Sequence, residues 1–252
     1  MIDYIIDTHA HLHLCKRDID ELIENAFSRG IKYIINVATS IDTAKTSLEL
    51  AKKYKFIIPT IGIHPCEHTD IDRLDLLEKM LELNNFVAVG EIGLDYYRNY
   101  CDSNIQKGLF YKQLEIAKKH NKPVIIHNRQ ADNDILDILN NFKALPKIFH
   151  CYSTDTNFAK SVINDNAFFS FTATITYSKK EAVINAIKYL PLERIMLETD
   201  CPYLSPNFIK NEENQPANTY FVANKIAEIK NISLEDVISQ TSKNATLFFD
   251  LL

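Results

Sequence analysis

The sequence predicts an α/β fold, a TIM-type (β/α)8 barrel, on three observations. Short apolar runs rich in β-branched and aromatic residues alternate with longer segments of helical periodicity. About eight such runs are present, and no break in composition marks a linker between domains. The length of 252 residues is typical of one barrel of this kind. We therefore expect a single domain over residues 1–252.

Each candidate strand is a short run of Val, Ile, Phe and Tyr bounded by polar or turn-forming residues. Because the runs alternate with helical segments, we expect a parallel sheet whose strands are joined by crossover helices. The candidate strands are Tyr4–Asp7, Tyr33–Val37, Phe56–Ile61, Phe86–Glu91, Val124–His127, Lys147–His150, Phe168–Phe171 and Ile195–Glu198.

The helical segments are marked by apolar spacing and capping residues. In DIDELIENAFSRG the apolar residues fall on one helical face, and Gly30 is placed to end the helix. SNIQKGLFYKQLEIAKKHNKP predicts a long helix that closes before Pro123. The C-terminal segment ISLEDVISQTSKNATLFFDLL is interpreted as two short helices with Ser233 and Ser242 as N-caps.

Charge and hydropathy restrict the class of partner. The net charge is −5, and no run of basic residues forms the usual footprint for duplex nucleic acid. No segment reaches the run of about 18 apolar residues that a membrane helix needs, so we expect no membrane partner.

The five cysteines form no C-x-x-C pair and are odd in number, which favours reduced thiols in a cytoplasmic protein. Cleavage of a signal peptide would remove the first strand, so we expect none. The sequence is silent on oligomeric state, and a monomer is the working expectation.

The stretch IIDTHAHLHL carries His9, His11 and His13 at strict alternation after an apolar lead-in. In a strand, residues two apart share a face, so at least two of these imidazoles point at the same place. Converging neutral imidazoles suit a divalent transition metal.

Further reactive side chains follow the other candidate strands, where the active site of a barrel enzyme is built. Together they supply enough nitrogen and oxygen ligands for two metal ions, provided that one carboxylate bridges them. The candidate ligands are His9, His11, Glu91, His127, His150 and Asp200.

Six blocks of the chain resemble the signature motifs of the TatD family of metal-dependent hydrolases: DTHAHLH, IGIHP, VGEIGLDYY, VIIHNRQA, HCYS and LETDCPYLSP. Their order and spacing agree from residue 7 to about residue 249. The resemblance implies a metal-dependent, amidohydrolase-like TIM barrel. It also implies a nuclease that uses two divalent ions (Mg, Mn or Zn) to hydrolyse phosphodiester bonds of DNA, often as a 3′ exonuclease on single strands.

When the family's metal ligands are assigned to the matching motifs of this sequence, the resemblance implies that Glu91 bridges the two ions. Many barrels of this superfamily use a carboxylated lysine as the bridge, so a glutamate favours the nuclease branch. His13 then lies in the loop or behind the ligands. The implied ligands are His9, His11, Glu91 and Asp200 for the first ion, and Glu91, His127 and His150 for the second.

Phosphodiester hydrolysis requires an activated water and neutralised charge in the transition state, which a pair of divalent ions provides. Asp200 and Glu91 are the predicted catalytic carboxylates, with Asp200 accepting a proton from the attacking water. Glu198, which shares the strand face of Asp200, is expected to orient a ligand histidine. Asp95 is expected to cap the turn that follows it.

Three residues are predicted to bind substrate. His64 offers one N–H and Arg129 a planar donor fork to a phosphate. The alternatives are that His64 only orders its turn and that Arg129 forms a salt bridge. Tyr97, with Tyr96 and Tyr152, is a candidate for stacking on unpaired bases.

The expected partner is DNA with single-stranded or frayed 3′ ends, and RNA is the alternative nucleic acid. An ester or amide hydrolase on the same scaffold, such as an aminoacyl-tRNA deacylase, is the nearest rival, because fold and metals do not settle substrate. A non-catalytic barrel with a binding role is the other alternative. Departures from the family pattern at Arg98, Gln130, Thr154 and Gln215 affect expected substrate contacts and none of the implied ligands.

Overall fold

The computed structural model describes residues 4–98, 100–177, 181–209 and 211–251. In these ranges eight β-strands alternate with nine α-helices. The strands are β1 (Ile5–Ala10), β2 (Ile31–Asn36), β3 (Ile57–Pro59), β4 (Val89–Asp95), β5 (Val124–Arg129), β6 (Lys147–Phe149), β7 (Ala167–Phe171) and β8 (Ile195–Leu197). The helices are α1 (Ile19–Ser28), α2 (Ile41–Lys53), α3 (Leu74–Leu83), α4 (Ser103–Lys119), α5 (Asp132–Leu139), α6 (Thr156–Val162), α7 (Glu181–Tyr189), α8 (Thr219–Lys230) and α9 (Leu234–Phe249).

All eight predicted strands are present, with ends that differ by a few residues. β1 extends past the expected end at Asp7 to Ala10, and β4 extends through Glu91 to Asp95. His9 and Glu91 therefore lie within strands, each at a point where the parallel register shifts by one residue, between Asp7 and Ala10 and between Val89 and Ile92.

The chain forms two compact units. The first comprises the described residues up to Asn36, Cys151–Ile163, and those from Phe168 onward. The second comprises Val37–His150 and Asn164–Ala167. The expectation of one domain over residues 1–252 stays a prediction.

In the first unit, β1 pairs in parallel with β2, and β7 pairs in parallel with β8. After β8 the chain continues beside β1, where Cys201 forms a parallel bridge with Ala10. The N–H of Asp200 donates to the carbonyl of His9, and the N–H of His11 donates to the carbonyl of Cys201, both at 2.8 Å. These backbone bonds place His9 and His11 alongside Asp200.

The C-terminal segment forms one helix, so the prediction of two short helices there is wrong. α9 begins at the expected cap, because the Ser233 hydroxyl accepts the N–H of Asp236 at 3.0 Å. Ser242 is buried within the helix instead of capping a second one, and its hydroxyl donates to the carbonyl of Tyr4 at 2.6 Å. With that hydroxyl used against the start of β1, it does not compete with the helical backbone bonds, and the helix continues.

In the second unit, β4, β5 and β6 pair in parallel and in sequence order. Gly93 lies opposite His127, and Asp95 lies opposite Arg129. The carboxyl ends of the three strands therefore meet at one edge of the sheet, where Asp95, His127 and Arg129 are neighbours.

Two buried glutamines of α4 hold the backbone of the segments that carry site residues. Gln113 accepts the N–H of Ile63 at 2.8 Å and donates to its carbonyl at 3.0 Å, directly before His64. Gln106 accepts the N–H of Asp95 at 2.9 Å and donates to its carbonyl at 3.1 Å. Each side-chain amide thus satisfies both backbone hydrogen-bonding groups of one buried residue.

The described helices have the lengths usual for a packed α/β protein. The longest, α4, has 17 residues and carries lysines along its length. Within the described ranges, none of the helices combines the length and the apolar character needed to cross a membrane.

Gly93 allows β4 and β5 to approach closely beside His127. Its φ is +144°, and a Cβ atom at this position would lie 2.0 Å from the carbonyl oxygen of His127. Gly108 is the opposite case, because it lies exposed on α4 with no atom within 4 Å of the position that its Cβ would take. At Gly93 a side chain is excluded by the neighbouring strand, whereas at Gly108 a side chain has room and only the helix propensity of the residue matters.

We expect Gly93→Ala to lower the free energy of unfolding by about 2–3 kcal/mol, because the His127 backbone must move to admit the methyl group. Gly108→Ala should raise it by about 0.5–1 kcal/mol, since alanine is the better helix former. Urea unfolding followed by circular dichroism measures both. Equal stability of the two variants would contradict the close approach of the strands.

Candidate metal centre

His9 lies in β1 and His11 directly follows that strand, and their rings converge on one point, as their alternation predicts. Their Nε2 atoms lie 3.2 Å apart. The Oδ1 atom of Asp200 lies 3.3 Å from Nε2 of His11 and 3.7 Å from Nε2 of His9. His9 and His11 are buried, and the Asp200 side chain is only 14% exposed. The first unit thus gathers two imidazole nitrogens and one carboxylate oxygen in a set that we call the first donor set.

Asp7 ties β1 to the segment that carries Asp200. Its carboxylate accepts the hydroxyl of Thr199 at 2.6 Å and the N–H of Thr199 at 3.0 Å. Burial raises the pKa of Asp7 to about 8, and the hydrogen bonds from Thr199 oppose that rise only in part. Sequence reasoning missed this residue because its partner lies 192 positions away.

In the second unit, Glu91 lies at the centre of a group of imidazoles. Its Oε1 atom is 2.8 Å from Nδ1 of His127 and 2.8 Å from Nε2 of His150. These two nitrogens are 3.3 Å apart. Nε2 of His64 lies 3.5 Å from the same carboxylate oxygen. We call Glu91, His127 and His150 the second donor set; the structure brings them together as predicted.

The electrostatics of the second donor set favour positive charge. Burial by itself would raise the pKa of Glu91, but the imidazoles of His150, His64 and His127 hold it well below its usual value. Burial would likewise lower the pKa of His127, but the carboxylates of Asp95 and Glu91 raise it. Surroundings that stabilise an imidazolium also stabilise a divalent cation held by the same atoms.

Asp95 has two roles in the structure. One carboxylate oxygen accepts the N–H groups of Tyr97 at 3.0 Å and Arg98 at 2.8 Å, which is the turn-capping role predicted for it. The other oxygen lies 3.0 Å from Nε2 of His127. When Nε2 donates to Asp95, the lone pair of Nδ1 points at Glu91 and is available to a metal ion. Sequence reasoning did not foresee this second contact.

Both donor sets fit a metal ion by their chemistry and spacing. Ligand atoms at about 2.0–2.1 Å from a tetrahedral ion lie roughly 3.3 Å from one another. The spacings in the first set are 3.2–3.7 Å, and those in the second are 2.8–3.3 Å. Imidazole nitrogen and carboxylate oxygen are the ligands that zinc and manganese accept.

His64 orders its turn and also points into the second donor set. Its Nδ1 atom accepts the N–H of Cys66 at 3.1 Å, so the neutral ring carries its proton on Nε2. Burial lowers the pKa of His64 to about 3 and keeps the ring neutral. Nε2 is therefore a hydrogen-bond donor near Glu91. The hydrogen bond with Cys66 shows the turn-ordering role, and the contact with a substrate phosphate stays a prediction.

The residues predicted to contact substrate differ in how far their side chains are exposed to solvent. The Arg129 guanidinium lies 4.0 Å over the ring of Tyr97, which is 59% exposed. Tyr96 donates its hydroxyl to Asp134 at 2.5 Å. Tyr152 is buried against the rings of Phe158, Phe169 and Phe171, so the prediction that it stacks on a base is wrong.

Glu198 and His13 belong to the same unit as the first donor set. The fully buried Glu198 accepts the N–H of Cys151, the residue after His150, at 2.6 Å, and it also accepts the hydroxyl of Ser170. His13 lies 3.4 Å from the side-chain amide of Asn36 through Nδ1. Burial lowers the pKa of His13 to about 4, and the neighbouring His11 lowers it further. A supporting role for both residues stays a prediction.

Known proteins match this chain over nearly its whole length. Residues 6–250 match the family described as TatD related DNase. The chain is 34% identical over 251 residues to the uncharacterized metal-dependent hydrolase YabD of Bacillus subtilis, covering 97% of this chain and 98% of that protein. The crystal structure of the TatD homologue YjjV from Escherichia coli superimposes with a TM-score of 0.91 at 27% identity, covering 98% of both chains. An uncharacterized amidohydrolase from Saccharomyces cerevisiae superimposes with a TM-score of 0.84 at 20% identity, covering 98% of this chain and 99% of the yeast one.

These similarities confirm the predicted fold class, an α/β TIM barrel. They also confirm that the chain is a metal-dependent hydrolase that carries candidate His and Glu ligands. The identity and number of the ions, and the assignment of each ligand to an ion, stay predictions.

We expect Asp95→Asn to reduce the metal affinity of the purified protein by about 10–100-fold, the usual effect of removing a carboxylate that orients a ligand histidine. The substituted amide no longer favours the tautomer that directs the Nδ1 lone pair of His127 to the ion. Competition with a chromogenic chelator measures the affinity.

Asp134→Asn is the matched control, because Asp134 is a carboxylate of the same unit that binds Tyr96 and Lys107 instead of a histidine. Its metal affinity should equal that of the unmodified protein. Equal affinity in both variants would show that Asp95 does not orient His127 for metal binding.

Proposed function

The chain belongs to the TatD family of metal-dependent hydrolases, and from this premise we propose that it is a divalent-metal-dependent deoxyribonuclease. The proposed reaction hydrolyses phosphodiester bonds and removes nucleotides from the 3′ ends of single-stranded DNA. We propose two divalent ions, Mg, Mn or Zn, as its cofactors, and a cytoplasmic monomer as its working form.

The observation that carries this proposal is the presence of two donor sets, built on strand ends, in a chain whose family is described as DNases. Each set combines imidazole nitrogens with a carboxylate oxygen at spacings that suit one ion. We assign one ion to His9, His11 and Asp200 and the other to Glu91, His127 and His150. The bridging role of Glu91 is part of the proposal.

When bound, two divalent ions supply positive charge for the scissile phosphate and lower the pKa of a water molecule. In our proposal, Oδ1 of Asp200 would hold the ion and the other carboxylate oxygen accepts the proton of the attacking water, since this carboxylate is partly exposed. Glu91, whose pKa is held well below its usual value, stays ionised and balances part of the cationic charge.

The substrate phosphate meets N–H donors of the second unit in this proposal. His64 contributes its Nε2–H, because Nδ1 is occupied by the N–H of Cys66. Arg129 contributes its donor fork, and its stacking on Tyr97 limits the motion of the guanidinium. Within the described ranges Arg129 has no carboxylate partner within 4.0 Å, which leaves its donors available to a phosphate.

The overall charge of −5 makes long duplex DNA a poor partner, because the protein as a whole repels the backbone phosphates. The ions and Arg129 would attract one phosphate locally. We therefore propose short or single-stranded 3′ ends as the substrate, with RNA and aminoacyl esters as the competing classes that an experiment must separate.

We expect the purified protein to shorten a single-stranded oligonucleotide labelled at its 5′ end, to lose this activity after treatment with a chelator, and to recover it with Mg, Mn or Zn. His127→Ala should reduce the rate by more than about 100-fold, since it removes a ligand itself and not only a residue behind one. Denaturing electrophoresis resolves the products nucleotide by nucleotide.

His120→Ala is the control, because His120 pairs with Glu78 away from both donor sets; it should retain full activity. Folded protein that cleaves no oligonucleotide with any of the three metals would contradict the deoxyribonuclease. Cleavage of RNA or of an aminoacyl ester under the same conditions would replace it with the corresponding hydrolase.

A further inference from the structure

Tyr203 lies three residues after Asp200 and exposes its ring beside the first donor set. The residue is 53% exposed. Its ring centroid lies 6.3 Å from that of His11, with the two planes at 66°, so the imidazole meets the tyrosine edge to face and does not cover it. None of the chemical steps proposed above uses this residue.

A buried asparagine fixes the backbone on which Tyr203 and Asp200 lie. The side-chain amide of Asn214 donates to the carbonyl of Thr199 at 2.9 Å and to the carbonyl of Tyr203 at 2.7 Å. Its oxygen accepts the side-chain amide of Asn218 at 2.7 Å. The N–H of Tyr203 also donates to the carbonyl of Asp200 at 2.9 Å. The segment therefore cannot shift without breaking buried hydrogen bonds.

This arrangement differs from that of a tyrosine used for packing. Tyr152 of the same unit is 5% exposed and contacts three phenylalanine rings. Tyr203 has its main chain held rigidly while more than half of its surface is open to solvent. An aromatic side chain that is exposed and positioned in advance loses little conformational freedom when a flat ligand binds to it.

We propose that Tyr203 stacks on a nucleobase of a nucleotide whose phosphate is attracted by the ion proposed for the first donor set. The proposal rests on the proposed function, since it requires a nucleotide substrate. In a nucleotide one sugar separates the base from the phosphate, so an exposed aromatic ring beside the phosphate site is placed to meet the base.

We therefore expect the site to select single-stranded over double-stranded DNA and not to distinguish among the four bases. Every base offers a π-face, so stacking tolerates all four bases. A base in a duplex already stacks on its neighbours and is paired, so it is not free to lie against Tyr203. The residue thus determines specificity for unpaired ends.

The first test uses the fact that the chain contains no tryptophan. Tyr203→Trp keeps a stacking ring and makes the single indole of the protein report on this position alone. We expect deoxyadenosine 5′-monophosphate to quench its fluorescence in the metal-loaded protein, whereas deoxyribose 5-phosphate, which lacks a base, should not. Excitation at the red edge of the indole band avoids absorption by the nucleotide.

Tyr189→Trp is the matched control. Tyr189 is 43% exposed, belongs to the same unit, and ends α7 ahead of β8 instead of following that strand. Its fluorescence should be unaffected by both ligands. Quenching of equal size in the two variants would indicate collision in solution and would overturn the stacking site.

The second test separates binding from chemistry in steady-state kinetics. Tyr203→Ala should raise KM for a single-stranded oligonucleotide by about 5- to 150-fold, the range for removing one base-stacking aromatic ring. It should leave the bound metal content unchanged, while Tyr203→Phe should restore the original KM. Unchanged KM in Tyr203→Ala, or a lost metal content, would overturn the role in base binding.

The two proposals fail in different ways. If the unmodified protein does not cleave DNA, the proposed function falls and this one falls with it. If the unmodified protein cleaves DNA but Tyr203→Trp shows no quenching by the nucleotide, only the stacking role of Tyr203 is contradicted.

Discussion

A buried carboxylate must be compensated by nearby positive charge or hydrogen-bond donors, and this requirement organises the second unit around Glu91. Left alone in a low-dielectric interior, the ionised side chain would be strongly destabilising. Imidazoles at 2.8 Å provide the compensation, and Asp95 in turn orients one of them. The same preference for positive charge makes the group suitable for a divalent cation. Gly93 and Gln106 serve this arrangement, because they set the approach of the strands and the position of Asp95.

Side-chain amides form hydrogen bonds with buried backbone groups at the ends of strands. Backbone groups beyond a strand lose their ladder partners, although many of them remain buried. Gln113 and Gln106 each present a donor and an acceptor to such groups, and Asn214 donates to two backbone carbonyls. The residues held in this way lie next to His64, His127 and Asp200, respectively. The site therefore depends on amides that take no part in the chemistry themselves.

The first donor set shows how one element positions another. His9 lies in β1 and His11 directly follows that strand. Asp200 follows β8, and its segment bonds to the backbone of His9 and His11 and to Asp7. The same segment carries Tyr203. A single length of chain thus supplies both a proposed metal ligand and an exposed aromatic ring, and the hydrogen bonds of Asn214 fix the two together.

The sequence by itself determined the eight strands and the shared direction of His9 and His11, which follow from apolar periodicity and from the two-residue repeat of a strand. The meeting of parallel strand ends predicted that the six candidate ligands lie at one edge, and only the resemblance to the TatD motifs implied the grouping of Glu91, His127 and His150. The tertiary structure alone decided the partners of Asp7, the second contact of Asp95, the burial of Tyr152, the exposure of Tyr203 and the continuity of α9. These features depend on contacts between residues far apart in the chain, and a hydrogen bond such as that between Asp7 and Thr199 spans 192 positions without leaving any local pattern.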